Sequence, residues 1–186
     1  NCGDFGEFWS KRNFPQPLLD NPDVQGKSIL IWAEQEVGDQ IMFVSMLNGI
    51  DYFSNEVVVE CEERLVPLFQ CSFPDVSFIS AKTPPDGRLF DQRIDCQIPI
   101  GNLGKWFRVT ESDFCGSKPY LVSCSDKVMS FKKKYKALAE DRLLVGISWR
   151  STRVDQRRAM LKSTDLSQWC SLLSEKDCVL TFSMGM

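Results

Sequence analysis

Two clusters of reactive side chains stand out. Glu34, Gln35, Glu36, Gly38 and Asp39 follow the apolar run Ile29 to Ala33 and lead into Ile41, Met42, Ser45 and Met46, which are spaced to cover one helix face. A strand that hands a Gly-Asp turn to a helix start sets a carboxylate at the carboxyl edge of a sheet, where open α/β folds bind ligands. Asp39, beside a helix N-terminus, offers a carboxylate that can accept a proton. An aspartate there equally serves as a helix cap, and the two roles are compatible. Gly38 permits a tight turn or close approach of a ligand. Glu34 and Gln35 could orient a hydroxylated substrate or brace the loop. The second cluster is basic: Arg150, Arg153, Arg157, Arg158 and Lys162 lie between the apolar run Leu143 to Trp149 and a helical stretch. Cations between a strand and a helix start suit an anionic phosphate; a solvated charge run is the plainer reading.

The absence of histidine from 186 residues removes Ser-His and Cys-His nucleophiles and His-ligated metals. Eight cysteines are scattered without a CxxC pair, mostly in apolar segments, as reduced structural residues of a cytoplasmic protein would be. A net charge of −3 argues against general nucleic-acid binding. No run is long enough to span a membrane, and the N-terminus does not read as a secretory signal. The missing initiator Met suggests a fragment or a processed chain. No G-x-G-x-x-G follows the first strand, and the Glu-rich turn would repel a pyrophosphate, so a dinucleotide oxidoreductase is disfavoured.

The elements that must carry these residues alternate. Residues 1–26 form an irregular leader with a short helix near Glu7 to Lys11, packed on the domain by its aromatics. Residues 27–125 read as a Rossmann-like domain: strands Ser28–Ala33, Glu56–Glu60 and Val76–Ser80, helices Asp39–Leu47 and Glu62–Gln70, a surface loop at 82–87, a less buried strand at Phe90–Ile98, and a short helix at Leu103–Phe107. Residues 126–142 hold a connecting helix, with Val128, Phe131, Tyr135 and Leu138 on one face and lysines opposite. Residues 143–186 give a strand, the basic loop, a helix from Thr164 or Asp165 through Leu173, and a strand Cys178–Phe182. One such unit cannot bury both faces of a sheet, so this reads as the incomplete start of a second Rossmann-like domain. The predicted class is α/β, a parallel sheet flanked by helices.

Asn13-Phe14-Pro15-Gln16-Pro17-Leu18-Leu19-Asp20, Gly26-Lys27, Trp32-Ala33-Glu34-Gln35 and Val37-Gly38-Asp39 follow one another at a spacing that resembles the catalytic region of bacterial tetratricopeptide-repeat proteins carrying a glycosyltransferase domain. That region is related to lipopolysaccharide heptosyltransferases and, more distantly, to O-GlcNAc transferases. Val145-Gly146-Ile147-Ser148-Trp149, with Arg157, Arg158, Lys162 and Ser163 downstream, resembles the opening of their second half. The resemblance implies a GT-B architecture, with residues 27–125 on the acceptor side and residues 143–186 beginning the nucleotide-sugar domain. It implies Asp39 as catalytic base and Lys162 at the donor phosphate; Glu34, Gln35 and Gly38 are placed at the acceptor, and Arg150 and Arg157 at the donor phosphate, by their positions beside them. No metal and no cofactor are implied beyond a nucleotide-sugar co-substrate; upstream tetratricopeptide repeats are, and the acceptor is an unspecified protein or glycan. Glu36 stands where these relatives usually carry Gly, and Ser151 to Met160 lacks their Asn, His and Asp-Arg pattern. The chain also stops before the stretch that closes on the nucleotide, so alone it is expected to be inactive. The alternative is a non-catalytic Rossmann-like module that binds a partner or packs on helical repeats.

Overall fold

The structure, a computed structural model, describes residues 12–51, 53–114, 119–139, 142–149, 160–173 and 178–182. The expected helix at Glu7 to Lys11 lies outside them. The chain divides into two compact units, Asn1–Cys124 and Ser125–Met186.

Four short strands build the first unit: β1 (Ser28–Trp32), β2 (Glu56–Cys61), β3 (Ser77–Ser80) and β4 (Cys96–Pro99). They lie parallel in the order β3-β2-β1-β4, with Ile29 opposite both Val57 and Cys96. The β1–β2 connection is α1 (Val37–Val44) continued by a 3-10 turn at Ser45–Gly49. The β2–β3 connection is a 3-10 turn at Glu63–Leu65 and α2 (Val66–Ser72), with a proline among its first residues. That helix ends before Phe73, which precedes Pro74 and takes φ −132°, because a residue before proline is pushed out of the helical region. This is the Rossmann-like α/β arrangement that the alternating pattern predicts.

Both faces of the sheet are buried, which is why β1 and β2 read as unbroken apolar runs. Ile29, Ile31, Val57, Val59 and Ile98 pack under Val44, Leu47, Leu65, Phe69 and Leu103 from the helices. On the other face Leu30, Val58 and Ile79 meet Phe14, Leu89 and Ile94, so the leader and the β3–β4 connection form that layer. Leu30 and Ile31 have no exposed surface, and each such burial contributes about 2 kcal/mol.

One expectation is corrected. The strand expected at Phe90–Ile98, and expected to be less buried, is only Cys96–Pro99, and every residue of it is buried. Phe90 instead closes a 3-10 turn. The leader shields the outer edge of β4: Gln97 N–H donates to Pro17 O and Leu19 N–H donates to Gln97 O, each at 2.9 Å. Beyond β4, a 3-10 turn at Ile100–Leu103 runs into α3 (Gly104–Phe107).

The second unit holds α4 (Ser125–Ala139), packed on a two-stranded parallel sheet of β5 (Leu143–Ile147) and β6 (Cys178–Phe182). A 3-10 turn at Leu166–Trp169, capped by Asp165 through Ser167 N–H, leads into α5 (Cys170–Leu173).

Candidate functional site

The chain steps outward from β1 through β2 to β3 and then crosses back to β4 on the other side of β1, so the strand order reverses beside β1. Crevices form at such a reversal, outside the carboxyl ends of the strands. The Glu34–Asp39 loop leaves β1 at this point. Ala33 N–H still bonds Glu60 O at 2.9 Å, after which the chain turns sharply, with Gln35 at φ +67°. A non-glycine residue seldom takes that conformation and needs neighbours to hold it.

Gln40 holds it. Its side chain, 1% exposed, donates from Nε2 to Gln35 O at 3.3 Å and accepts Glu62 N–H on Oε1 at 2.9 Å. One buried amide therefore ties the loop after β1 to the loop after β2. A Gln40→Leu change keeps the bulk and strands both partners. The expected loss is about 1–2 kcal/mol of unfolding free energy in a urea titration; a loss below a few tenths would show that the loops hold themselves.

Asp39 is the third residue of α1 and half-buried. Its Oδ2 accepts Glu36 N–H at 3.1 Å, one half of a capping box with Glu36 as N-cap. Asp39 thus caps the helix. Among the described residues its other oxygen has no hydrogen-bond partner and can meet a substrate proton. Gly38, in the same first turn, is exposed, and a Cβ built there would meet nothing within 4 Å. Gln35 exposes its side chain and uses its backbone.

Glu34 reaches across to the end of β4. Its Oε2 lies 3.0 Å from where a Gly101 Cβ would stand, and the Phe43 ring is 3.6 Å from the same point. A Cβ at Gly101 would touch the Phe43 ring and require the Glu34 carboxylate to shift slightly. From there a groove of about 860 Å³ runs along Phe43, Met46, Trp106, Phe107 and Tyr120, with Arg108 and Asp113 also on its wall. Tyr120 braces it through a hydroxyl bond to Ile41 O at 2.8 Å.

Behind the loop, on the leader side, the only ion pair with both side chains nearly inaccessible among the described residues joins Arg12 to Glu60. Nε donates to Oε2 at 3.0 Å and Nη2 lies 2.9 Å from Oε1; the two side chains are 3% and 0% exposed. Arg12 also donates to Lys82 O at 3.0 Å. Burial pushes the Glu60 carboxyl up to about 7, against the opposing pull of Arg12. Beside it Trp32 Nε1 donates to Gln97 Oε1 at 2.6 Å.

The structure thus gathers Glu34 and Gln35, in the loop after β1, with Gly38 and Asp39, in the first turn of α1, at the sheet edge. Arg150 and Arg157 lie outside the described residues. Lys162 belongs to the second unit, exposed, in a turn just before Thr164 N–H closes on Trp149 O at 2.9 Å. No cluster of His, Cys, Asp or Glu among the described residues could hold a metal ion.

The chain is 29% identical over 186 residues to Protein FlbA of Caulobacter vibrioides. The match takes in 84% of this chain and 30% of that protein, so the chain spans less than a third of the relative's length. No family model matches the chain, and no solved structure gives a significant match.

Gln40, Gly101 and the Arg12–Glu60 pair were not among the residues the sequence singled out. Gln40 had a usable signal, since it stands four and seven residues before the buried Val44 and Leu47. The others depend on contacts between distant segments. No helix among the described residues is long and apolar enough to cross a membrane.

Proposed function

We propose that the chain is part of a metal-independent GT-B-type glycosyltransferase that moves a sugar from a nucleotide-sugar to a hydroxyl of a protein or glycan acceptor. The observation that carries the reading is the carboxylate loop itself. Glu34 to Asp39 sits at the carboxyl end of β1, where the strand order reverses, and belongs to the block that resembles the sugar-transferring enzymes.

On this reading Asp39 takes the acceptor proton through its unoccupied oxygen, while Glu34 and Gln35 orient the hydroxyls and Gly38 leaves room beside them. Arg150, Arg157 and Lys162 steady the departing diphosphate. Among the described residues Cys61, Cys71, Cys96 and Cys124 are free thiols, which supports the reading of a cytoplasmic enzyme. Upstream tetratricopeptide repeats would present the acceptor.

One observation favours a non-catalytic interaction module instead. Glu36, where the resembled enzymes usually have Gly, is the N-cap of α1, and it adds a second carboxylate at the helix end. Titration calorimetry of the whole protein against a panel of uridine, guanosine, adenosine and cytidine sugar nucleotides separates the two readings. The enzyme reading expects one member to bind with Kd of about 1 μM–1 mM. Binding to none would overturn it in favour of the module.

A further inference from the structure

The charge of this chain is divided unevenly. Ser125–Met186 carries twelve Lys and Arg against seven Asp and Glu, a net of +5; Asn1–Cys124 carries ten against eighteen, a net of −8. Five of the basic residues, Lys127, Lys132, Lys133, Lys134 and Lys136, lie within α4, where the one acid is Asp126; Glu140 and Asp141 follow in sequence. Among the described residues none of the five forms an ion pair.

Their arrangement is specific. Val128, Tyr135 and Ala139 are the half-buried face of α4. Along one flank of that face run Lys127, Phe131, Lys134 and Leu138, spaced i, i+4, i+7, i+11, which places all four on one ridge about 16 Å long. Phe131 is 52% exposed and Leu138 48% exposed. Phe131 stacks on Tyr135 at 5.9 Å, and the Lys134 ammonium stands 5.7 Å from the Tyr135 ring centre, so the ridge is held in place. The opposite flank carries Lys132 and Lys136 with Met129.

We infer that this ridge of α4 is a docking surface for an anionic phospholipid bilayer, with Lys127 and Lys134 on the headgroups and Phe131 and Leu138 entering the interface between them. Charge complementarity selects the partner. A basic helix with large apolar residues between its lysines matches a surface that is anionic outside and hydrocarbon within. An acidic protein or a nucleic acid would answer the lysines and leave Phe131 and Leu138 against water. The contact is peripheral and independent of the sugar-transfer reading.

Co-sedimentation of the whole protein with phosphatidylcholine vesicles, with or without 30% phosphatidylglycerol, tests the proposal. Partitioning onto the anionic vesicles should exceed that onto neutral ones at least tenfold and fall as salt rises. Each lysine near an anionic surface contributes about fivefold, so Lys127→Gln with Lys134→Gln should lower partitioning about 25-fold. Phe131→Ser should lower it several-fold with the lysines intact. Lys132→Gln with Lys136→Gln removes the same charge from the other flank and should cost less than about threefold. Circular dichroism of each variant should match the parent, since all five positions are surface ones. Equal partitioning to both vesicles, equal losses from the two lysine pairs, or retention on heparin or an acidic protein without vesicle binding would each overturn the proposal.

Discussion

Replacing Arg12 with alanine should remove about 3–5 kcal/mol of stability at pH 8, a large fraction of what a domain of this size possesses. The magnitude follows from what is left behind. Glu60 has no exposed surface, lies in the body of β2, and has Arg12 as its ion-pair partner. Without the guanidinium the carboxylate must stay charged in an apolar layer or take a proton. The leader would also lose its link to Lys82 O.

The pH dependence separates this mechanism from lost packing. The Glu60 carboxyl is raised from 4.5 to about 7 in the folded chain. Between those values the folded state holds a proton that the unfolded state has released. The resulting stabilisation is fully present below about 4.5 and is lost as pH rises through about 7; it is on the order of 1–3 kcal/mol. Glu60→Gln should abolish this contribution, so the difference in unfolding free energy between the parent and this variant should change across the window. Removal of Arg12 takes away the group that pulls the Glu60 value down. Arg12→Ala should therefore be milder at pH 5 than at pH 8. Equal losses at both pH values would show that the arginine acts through its bulk alone.

The same pair shows where the sequence stops being readable. β1 and β2 announce themselves because burial on both faces forces apolar runs, and the turn after β1 is marked by Gly38-Asp39. Arg12 and Glu60 are 48 positions apart, and nothing local says that a charged residue in β2 points into a layer made by the leader. β4 is hard to read for the same reason. Its alternation reads as half-exposed until residues 17–19 return to cover Gln97. Gly101 looks like any loop glycine until Glu34 is found in its side-chain space. At Asp39, by contrast, the two roles considered from the residues alone were capping and proton abstraction. The geometry displays the first directly and leaves an oxygen for the second.

Asp39→Asn in the whole protein should lower sugar transfer by about 10²–10⁴-fold, the range associated with loss of a positioned base. The substitution is chosen because it spares the cap. An asparagine Oδ1 can still accept Glu36 N–H, which keeps this half of the capping box, so the stability cost should stay below about 1 kcal/mol. A large kinetic loss with an unchanged unfolding transition therefore reports chemistry rather than a frayed α1. Glu34→Gln is the necessary companion, because Glu34 offers a half-buried carboxylate at the same reversal point, against Gly101. If Asp39 is the base, Glu34→Gln should act mainly on the acceptor KM, and its kcat should remain within about tenfold of the parent. If kcat collapses in Glu34→Gln while Asp39→Asn turns over normally, the base is Glu34 and Asp39 is only a cap. If both variants turn over like the parent, the loop does not perform proton transfer, and the base is a group outside it.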